Sequence, residues 1–513
     1  MIEHLGAAIS LLASWKLLLT IAACSLYGLF VGAVPGLTAT MAAALLVPFT
    51  FFMDPLPALV AIVSMEAMAI FAGDIPAALV RIPGTPSSAA YTDDSFELTK
   101  QGKAELVLGV DVVTSAIGGL MGALVLMSAA PLLAEVALRF TSFEYFWLAA
   151  LGLSATVMIA SSQPLKAGLA LLVGLFFSTV GLDITLGYPR FTLGTVELLN
   201  GVDFIPAMIG LFGVSEILRN MGSSHLAYPI TSVKAERIFR GLAETLRRYK
   251  VNMLRAGGIG TFIGILPGAG ADIAAWIAYA ASKRFSKEPE KFGRGSLEAI
   301  VDSGTANNAC LAGDWVPALV FGIPGDSITA IVIGILFMKG LRPGPMIFEQ
   351  QPEMVYAVYI SFIIANILMV PFGYLAIKAS GTMLRVPRNV LMPAILMFCM
   401  VGSFAINNSL FDVGLMLAMG ILGYLFEDNG IPVAPIVLGM VLGPIVEQNF
   451  MVSMVKTEWD LSSSSAALRR PSWASSPWPS GSRPCSPPSC AGSAGRSAAA
   501  RASSPACQKT SQG

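Results

Sequence analysis

The chain has 513 residues, of which 55% are hydrophobic and 12% are charged, and its formal net charge is zero. A soluble domain carries about 25% charged residues, so this composition excludes an ordinary soluble domain. The neutral balance gives no indication of a nucleic-acid partner. The six cysteines lack the spacing of a disulfide or zinc framework. The sequence therefore predicts an integral membrane protein.

The N-terminus predicts an uncleaved first helix. Glu3 and His4 stand where a signal peptide carries positive charge, and no cleavage pattern follows Leu19. Apolar runs of membrane-spanning length come next, and in lipid such runs form helices because every backbone group needs an internal partner. We expect an all-α polytopic membrane protein with about ten to twelve transmembrane helices. The runs cover 17–52, 55–80, 106–138, 143–160, 165–182, 203–219, 257–282, 299–340, 353–377, 390–407, 411–427 and 430–449.

A basic segment at 231–256 separates two halves of the chain. It carries seven Lys or Arg residues against two Glu, which predicts a cytoplasmic linker helix. The polar stretch 283–295 is basic too, so residues 257–282 should enter and leave on one side. Each arm around Pro267 would reach about 18 Å, roughly half of the ~30 Å hydrocarbon core. We interpret the segment as a re-entrant hairpin, and one straight, kinked helix is the alternative.

The two halves share two motifs in the same order. The stretch GLFVGAVPGLTATMAAALLVPF at 28–49 resembles GTFIGILPGAGADIAAWIAYAA at 260–281, and LVRIPGTPSSAA at 79–90 resembles LVFGIPGDSITA at 319–330. The Pro-Gly pairs lie 232 residues apart in the first motif (267 − 35) and 241 in the second (324 − 83). Two matches at nearly one offset indicate an internal repeat, for which we expect inverted topology.

Gly/Pro-broken helices in matching positions of two halves are typical of a transporter's substrate site. A break frees backbone N–H groups that attract an anion and carbonyls that can hold a cation. Glycine lets the backbone approach a ligand closely, and hydroxyls add neutral hydrogen bonds. The alternative is that the breaks are only kinks and packing glycines. The hydroxyls at the breaks belong to Thr38, Thr40, Thr85, Ser87, Ser88, Ser327 and Thr329.

The same stretches carry a family resemblance. The chain resembles the large membrane (permease) subunit of the tripartite tricarboxylate transporters from about residue 28 to 458. The matching stretches are VGAVPGLTATMAAALLVPF, RIPGTPSSAAYTDDSFELTKQGKAEL, GILPGAGADIAAWIAYAASKRF, ANNACLAGDWVPALVFGIPGDSITA, MKGLRPGPMIF and DVGLMLAMGILGYLFEDNGIPVAPIVLGMVLGPIVEQNF.

The resemblance implies secondary active uptake of a tricarboxylate or other organic carboxylate across the bacterial inner membrane. It implies a periplasmic solute-binding protein and a small four-helix membrane subunit as partners, a sodium or proton gradient as the driving force, and no other cofactor. Sodium would bind transiently at Asn307 and Asn308. Carried over by position, the substrate-binding residues would be Pro35, Gly36, Thr38, Gly84, Thr85, Ser87, Ser88, Gly268, Gly270, Asn307, Asn308, Gly325 and Ser327.

Three positions depart from the family pattern. Asp74 stands where a small residue is usual, Arg81 replaces an Asn-like residue, and Gly304 replaces an acidic residue before the Asn-Asn pair. Charges inside membrane segments usually face a partner or a cavity. Asp74 and Arg81 are two helical turns apart, so they could pair on one face if the helix continues. Arg81 could instead bind a substrate carboxylate, or both could lie in an aqueous mouth.

The composition changes after residue 461. The segment 462–513 contains no acidic residue and is rich in Ser, Pro, Ala and Arg, a composition that cannot bury enough surface to fold. It could be a frameshift product or a genuine disordered tail. We therefore divide the chain into a first membrane repeat (1–230), the linker (231–256), a second membrane repeat (257–461) and the tail.

Two other functions are open at this point. An integral-membrane enzyme would need catalytic groups, but Asp93, Asp94 and Asp302 are better interpreted as polar loop residues, and the Thr/Ser hydroxyls of the second motif have no evident base. We therefore expect no enzymatic activity. A stand-alone secondary transporter would lack the binding protein, and neighbouring genes would distinguish it. In either transporter we expect alternating access around the broken helices.

Overall fold

A computed structural model describes residues 2–159, 163–183, 187–221, 238–239, 241–384 and 388–459. All of them belong to one compact unit that covers residues 1–474. Part of the predicted linker (231–237 and 240) and the predicted tail lie outside the described residues, as does the second unit at 475–513.

The described residues of the first half form mainly helices. A π-helical turn joins the last two of these helices into one continuous segment. The helices are α1 (Ile2–Leu12), α2 (Trp15–Ala33), α3 (Ala39–Phe51), α4 (Pro55–Ala72), α5 (Asp74–Val80), α6 (Thr92–Lys100), α7 (Ala104–Ala137), α8 (Ser142–Ile159), α9 (Pro164–Ser178), α10 (Phe204–Met208) and α11 (Ser215–Met221). Two short strands, β1 (Gly181–Leu182) and β2 (Pro189–Arg190), pair antiparallel with Gly181 opposite Arg190.

The described residues of the second half are helical as well. The helices are α12 (Leu242–Arg248), α13 (Lys250–Ile265), α14 (Gly270–Phe285), α15 (Leu297–Phe321), α16 (Ser327–Met338), α17 (Ile347–Gln350), α18 (Pro352–Met383), α19 (Arg388–Asn407), α20 (Leu410–Asp428) and α21 (Ala434–Lys456).

The fold class predicted from the sequence is confirmed. In the described part of the chain, eight helical segments are long and apolar enough to cross a bilayer, and α3, α9 and α16 are shorter apolar helices. The eight segments are Trp15–Ala33, Pro55–Val80, Ala104–Ala137, Phe204–Met221, Pro352–Met383, Val390–Asn407, Leu410–Asp428 and Ala434–Lys456.

The first Pro-Gly motif makes the same turn in both halves. Between α2 and α3, the N–H of Leu37 donates to the carbonyl of Val34 (3.2 Å), and Gly36 has φ 91°. Between α13 and α14, the N–H of Ala269 donates to the carbonyl of Leu266 (3.2 Å), and Gly268 has φ 80°. Both glycines occupy the left-handed region that other residues avoid, so this sequence repeat is also a repeat of backbone structure.

The second motif also repeats its backbone structure. α5 ends at a left-handed residue, Arg81 (φ 60°), and the N–H of Ile82 donates to the carbonyl of Pro76 at 3.4 Å. α15 ends at left-handed Gly322 (φ 68°), and Ile323 N–H donates to the Pro317 carbonyl at 3.2 Å. In both halves this hydrogen bond joins a proline carbonyl to the N–H six residues later and terminates the helix. The two bonds are 241 residues apart in the chain.

The segment around Pro267 is a helical hairpin rather than one kinked helix. Asn252, near the start of α13, donates to Glu298 Oε1 (2.7 Å), and Ser286, just after α14, donates to Glu298 Oε2 (2.6 Å). Both arms therefore end beside one carboxylate of α15. α13 begins at Lys250, seven residues before the predicted start at 257. The charge of Arg255 interrupts the apolar run, but it pairs with Asp302 of α15, which lets the helix extend.

Helix α15 is central to the packing. Its residues from Ala299 to Val320 are all buried. Small residues allow helices in membranes to approach closely, and glycines of the neighbouring α7 and α13 lie directly against the α15 backbone. These glycines are Gly118, Gly122, Gly260 and Gly264.

Candidate functional site

All four Pro-Gly breaks meet at one cavity. Its volume is about 400 Å³. Each break contributes at least one lining residue, so residues that are more than 200 positions apart in the sequence face the same space. The residues from the breaks that line it include Thr38, Thr40, Thr85, Pro86, Gly268, Gly270, Asp326 and Ser327.

Three helices begin at this cavity. The Thr38 hydroxyl caps α3 by accepting from Met41 N–H (3.1 Å). Asp326 caps α16 by accepting from Thr329 N–H (2.8 Å), and the Thr329 hydroxyl accepts from Asp326 N–H (2.9 Å). Among the described residues, no side chain caps α14, which begins at Gly270. Free N–H groups at a helix start carry partial positive charge and bind anions, so α14 presents its donors to the cavity.

A hydroxyl cluster supports the wall at the second motif. Thr85 lines the cavity, and its Oγ1 lies 3.0 Å from Ser87 Oγ. The Ser88 hydroxyl donates to the Thr85 carbonyl at 2.7 Å. Ser87 and Ser88 are fully buried behind Thr85, and the backbone of Ser87 faces the Asp272 carboxylate. The two serines therefore position Thr85 and do not line the cavity themselves.

The charged residues that line the cavity are mostly acidic. Asp272 is exposed to it and lies close enough to Asp326 for the two carboxylates to repel each other. On another part of the wall, Arg219 forms ion pairs with Glu216 and with Glu427 (3.4 Å). Four carboxylates against one guanidinium make the cavity negatively charged overall unless protons or cations are bound.

The sequence matches the tripartite tricarboxylate transporter TctA family over residues 18–438. The chain belongs to this family. It is therefore a component of a membrane transport system and not an enzyme, and the tripartite character of the family implies partner subunits.

Two relatives from Agrobacterium vitis share 35% identity with this TctA-family chain. The first, called an uncharacterized 52.8 kDa protein in the TAR-I ttuC' 3' region, matches over 435 residues, 85% of this chain and 86% of its own. The second, called an uncharacterized protein in the TAR-II ttuC' 3' region, matches over 201 residues, 39% of this chain and 83% of its own. No solved structure matches the chain.

Eight of the thirteen predicted site residues do not line the cavity of this TctA-family protein. Gly84 and Gly325 are packing positions, since an added Cβ would lie 2.6 Å from Gly73 Cα and 2.7 Å from Asp314 Cα, respectively. The others are Pro35 and Gly36 in the first turn, Ser87 and Ser88 behind Thr85, and Asn307 and Asn308 inside α15.

The asparagine pair lies in the protein core. Asn307 and Asn308 are 0% and 1% exposed, and neither lines the cavity. The Asn308 amide donates within α15 to the Gly304 carbonyl at 3.5 Å. The Asn307 amide makes no hydrogen bond.

Asp74 and Arg81 do not pair. Because α5 ends before Arg81, the two residues do not share a helical face, and Arg81 instead pairs with Asp93 at 2.8 Å. Both partners of that pair are more than half exposed, whereas Asp74 is 3% exposed. Neither Asp74 nor Arg81 lines the cavity.

The carboxylates considered as catalytic candidates, those of Asp93, Asp94 and Asp302, have structural roles. The Asp94 carboxylate accepts from the N–H groups of Gly293 (2.8 Å), Gly295 (3.0 Å) and Ser296 (2.7 Å) and from the hydroxyl of Tyr279 (3.0 Å). It thereby joins α6 and α14 to the segment before α15. Asp93 and Asp302 are held by the arginines described above.

The sequence analysis missed several residues that line the cavity. Most of them lie outside the repeated motifs, and Asp272 lies inside one but was not singled out. A signal existed for Glu216 and Arg219, whose spacing of three places them on one helical face, and for Asp272, which follows the third break in the first turn of a helix. The missed lining residues include Thr156, Phe212, Glu216, Arg219, Asp272 and Glu427.

Proposed function

We propose that this chain is the large permease subunit that carries a tricarboxylate or other organic carboxylate across the bacterial inner membrane. In this proposal a periplasmic solute-binding protein delivers the substrate, a small four-helix subunit completes the membrane part, and a sodium or proton gradient drives uptake. The observation that carries the proposal is the convergence of three helix starts on one cavity between the two repeats.

The neutral groups of the cavity suit a carboxylate. A helix start has the electrostatic effect of about half a positive charge, and α14 offers N–H groups that no described side chain occupies. The Ser327 hydroxyl adds a donor without a permanent charge, and Thr85 lines the same cavity with its hydroxyl bonded to Ser87 and Ser88. A volume of about 400 Å³ lies within the range of roughly 300–1,000 Å³ typical of small-molecule sites.

The acidic groups of the cavity favour symport. Two like charges 4 Å apart repel by about 4 kcal/mol at an effective dielectric constant of 20. Asp272 and Asp326 would therefore repel an anionic substrate unless a cation or proton entered with it. A negatively charged cavity for an anionic substrate couples the entry of the substrate to the entry of a cation or proton. This coupling supports a gradient-driven mechanism.

The proposal is tested by uptake of a panel of labelled carboxylates into proteoliposomes that contain the full-length chain and its small subunit. Uptake should require the binding protein and an inward sodium or proton gradient. Thr85→Ala combined with Ser327→Ala should reduce uptake by about tenfold or more, since each lost hydrogen bond is worth about 0.5–1.5 kcal/mol. The matched control is Ser128→Ala, whose hydroxyl bonds only within its own exposed helix turn.

The outcomes separate the alternatives. Gradient-driven uptake that is unchanged when the binding protein is omitted would identify a stand-alone transporter. The proposal fails if a folded, complete complex takes up no carboxylate, or if the double variant transports as well as the control.

A further inference from the structure

Four polar side chains from different parts of the fold meet in the core, away from the cavity. They are Asp74 at the start of α5, Tyr91 just before α6, Asp111 in α7 and Asn307 in α15, and their exposures are 3%, 1%, 2% and 0%. Asp74 faces both Tyr91 and Asp111, and Tyr91 faces Asn307. We call these four residues the core oxygen cluster.

The oxygens of this cluster have no hydrogen-bond partners. Although the side chains face one another, none of the contacts has hydrogen-bond geometry. An unsatisfied buried polar group costs about 1–3 kcal/mol, more when charged, so several at one place call for a bound group. The unpartnered oxygens are Asp74 Oδ1 and Oδ2, Asp111 Oδ1 and Oδ2, Asn307 Oδ1 and the Tyr91 hydroxyl.

The charge of the cluster points to a cation. Two carboxylates that face each other in the core need a counter-charge, because removing an ion from water costs several kcal/mol. Within the described ranges, no lysine or arginine forms a salt bridge with Asp74 or Asp111. Acidic groups inside a membrane protein are usually functional.

We propose that the core oxygen cluster binds the sodium ion whose gradient drives transport; this inference rests on the proposed function. Hard cations take oxygen ligands, and six is an ordinary coordination number for them. Two carboxylates with one amide and one phenol oxygen supply six oxygens of the kind that a hard cation such as sodium takes.

The packing of α7 on α15 makes room for this site. A Cβ added at Gly304 would lie only 2.7 Å from Asp111 Oδ1. The glycine therefore allows the Asp111 carboxylate to lie against α15, one turn from Asn307. A carboxylate inserted between two helices without a basic partner is expensive, and a sodium ion in the cluster offsets that cost.

A short backbone path connects the cluster to the cavity. Asp74 follows Gly73, whose carbonyl accepts from Gly84 N–H at 3.0 Å. A Cβ on Gly73 would lie 2.9 Å from both the nitrogen and the hydroxyl oxygen of Thr85. Because Thr85 lines the cavity, sodium bound at Asp74 fixes the position of a substrate-facing residue, and sodium binding and substrate binding favour the same conformation.

The test measures binding of ²²Na⁺ to the purified full-length chain in detergent, without substrate. The wild type should bind one more sodium ion per chain than Asp74→Asn or Asp111→Asn. Asn307→Ala removes one neutral oxygen and should weaken affinity by about tenfold, equivalent to ~1.4 kcal/mol. Asp93→Asn, which removes an exposed carboxylate of the same region, is the matched control and should bind as the wild type does.

A measurement on the wild type alone guards against variants that do not fold. Sodium, but not potassium or choline at equal ionic strength, should slow hydrogen exchange of peptides covering 73–91 and leave α18 unchanged. The proposal is overturned if the wild type binds no ²²Na⁺, as for a site that takes only a proton, or if Asp74→Asn and Asp111→Asn bind like the control. Sodium binding without any carboxylate uptake would keep this site and remove the proposed substrate.

Discussion

The break after α5 and the break after α15 follow the same backbone path with different side chains. In both, a proline carbonyl accepts from the N–H six residues later, and the helix ends on a left-handed residue. That residue is Arg81 in the first half and glycine (Gly322) in the second. At the same offset of 241 residues, Asp74 corresponds to Trp315. Backbone geometry therefore persists between the halves where side-chain chemistry does not.

The same offset relates two contacts that cross between the halves. Glu66 corresponds to Asn307, and Asp74 corresponds to Trp315. Glu66 of the first half accepts from Trp315 Nε1 of the second at 3.1 Å, whereas Asp74 and Asn307 meet around Tyr91 without a hydrogen bond. The repeat sets where the two pairs lie, but only the Glu66–Trp315 pair of these two forms a hydrogen bond.

The largest expected effect tests whether the shared backbone path is essential. Gly84→Ala and Gly325→Ala each place a Cβ within 2.6–2.7 Å of a backbone Cα, so the turn must shift. Each should destabilise the protein by about 3 kcal/mol or more, the upper range for overpacking. Thermal unfolding of the purified protein, followed by size-exclusion chromatography, measures this loss.

The control for those two variants is Gly258→Ala in α13, where an added Cβ meets nothing within 4 Å. It should be neutral or stabilising by up to about 1 kcal/mol, because alanine favours helix. If only one of the two turn glycines tolerates alanine, the two breaks are not mechanically equivalent.

An intermediate effect on stability is expected at the hydrogen-bonded pair Glu66 and Trp315. Trp315→Phe removes the donor to Glu66 and leaves a fully buried acid without its hydrogen bond, which should cost about 1–3 kcal/mol. Glu66→Gln keeps an acceptor for the indole N–H and removes the charge, so it should cost less. Thermal unfolding of both single variants and the double variant gives the coupling energy.

The control is Trp276→Phe at a half-exposed tryptophan, and its stability change should stay within about 0.5 kcal/mol. Equal losses in Trp315→Phe and Trp276→Phe would show that the Glu66 contact adds nothing.

The smallest effect concerns the left-handed residue itself. A non-glycine residue in this conformation costs about 1–2 kcal/mol, so Gly322→Ala should destabilise by about that amount. Arg81→Gly should stabilise by up to about 1 kcal/mol, reduced by the loss of an exposed ion pair worth about 0–1 kcal/mol. Asp93→Ala breaks the same ion pair without changing the backbone at residue 81. Subtracting its stability change from that of Arg81→Gly leaves the contribution of the backbone conformation. Thermal unfolding that shows Arg81→Gly to be less stable than Asp93→Ala would contradict this account.

The sequence predicted the fold class and the places where helices break, because hydrophobic length and Pro-Gly pairs act locally. It did not predict which polar residues at the breaks face the cavity. Thr85, Ser87 and Ser88 are buried hydroxyl residues of one motif, but of the three only Thr85 lines the cavity. Asn307 belongs to a motif that the family resemblance assigned to the substrate site. It lies in the middle of α15, however, and is therefore in the core.

Isolated acids could not be interpreted from the sequence because their partners are distant in the chain. Glu66 meets a tryptophan 249 residues away, and Asp111 lies against Gly304 of another helix. Each acid is a single charge inside an apolar run. Only the packing of α4, α7 and α15 shows that one carboxylate has a hydrogen bond and that another faces a second carboxylate.

The hydrogen bonds accepted by Asp94 limit how this protein can move. One carboxylate holds three N–H donors of the segment before α15 together with a hydroxyl of α14, and breaking such a charge-assisted group costs several kcal/mol. These contacts join the end of α14, the start of α15 and α6, and we expect the three to move together in the proposed transport. In the alternating access proposed for this family member, we expect the hinge to lie outside this piece, so that the start of α14 moves together with it.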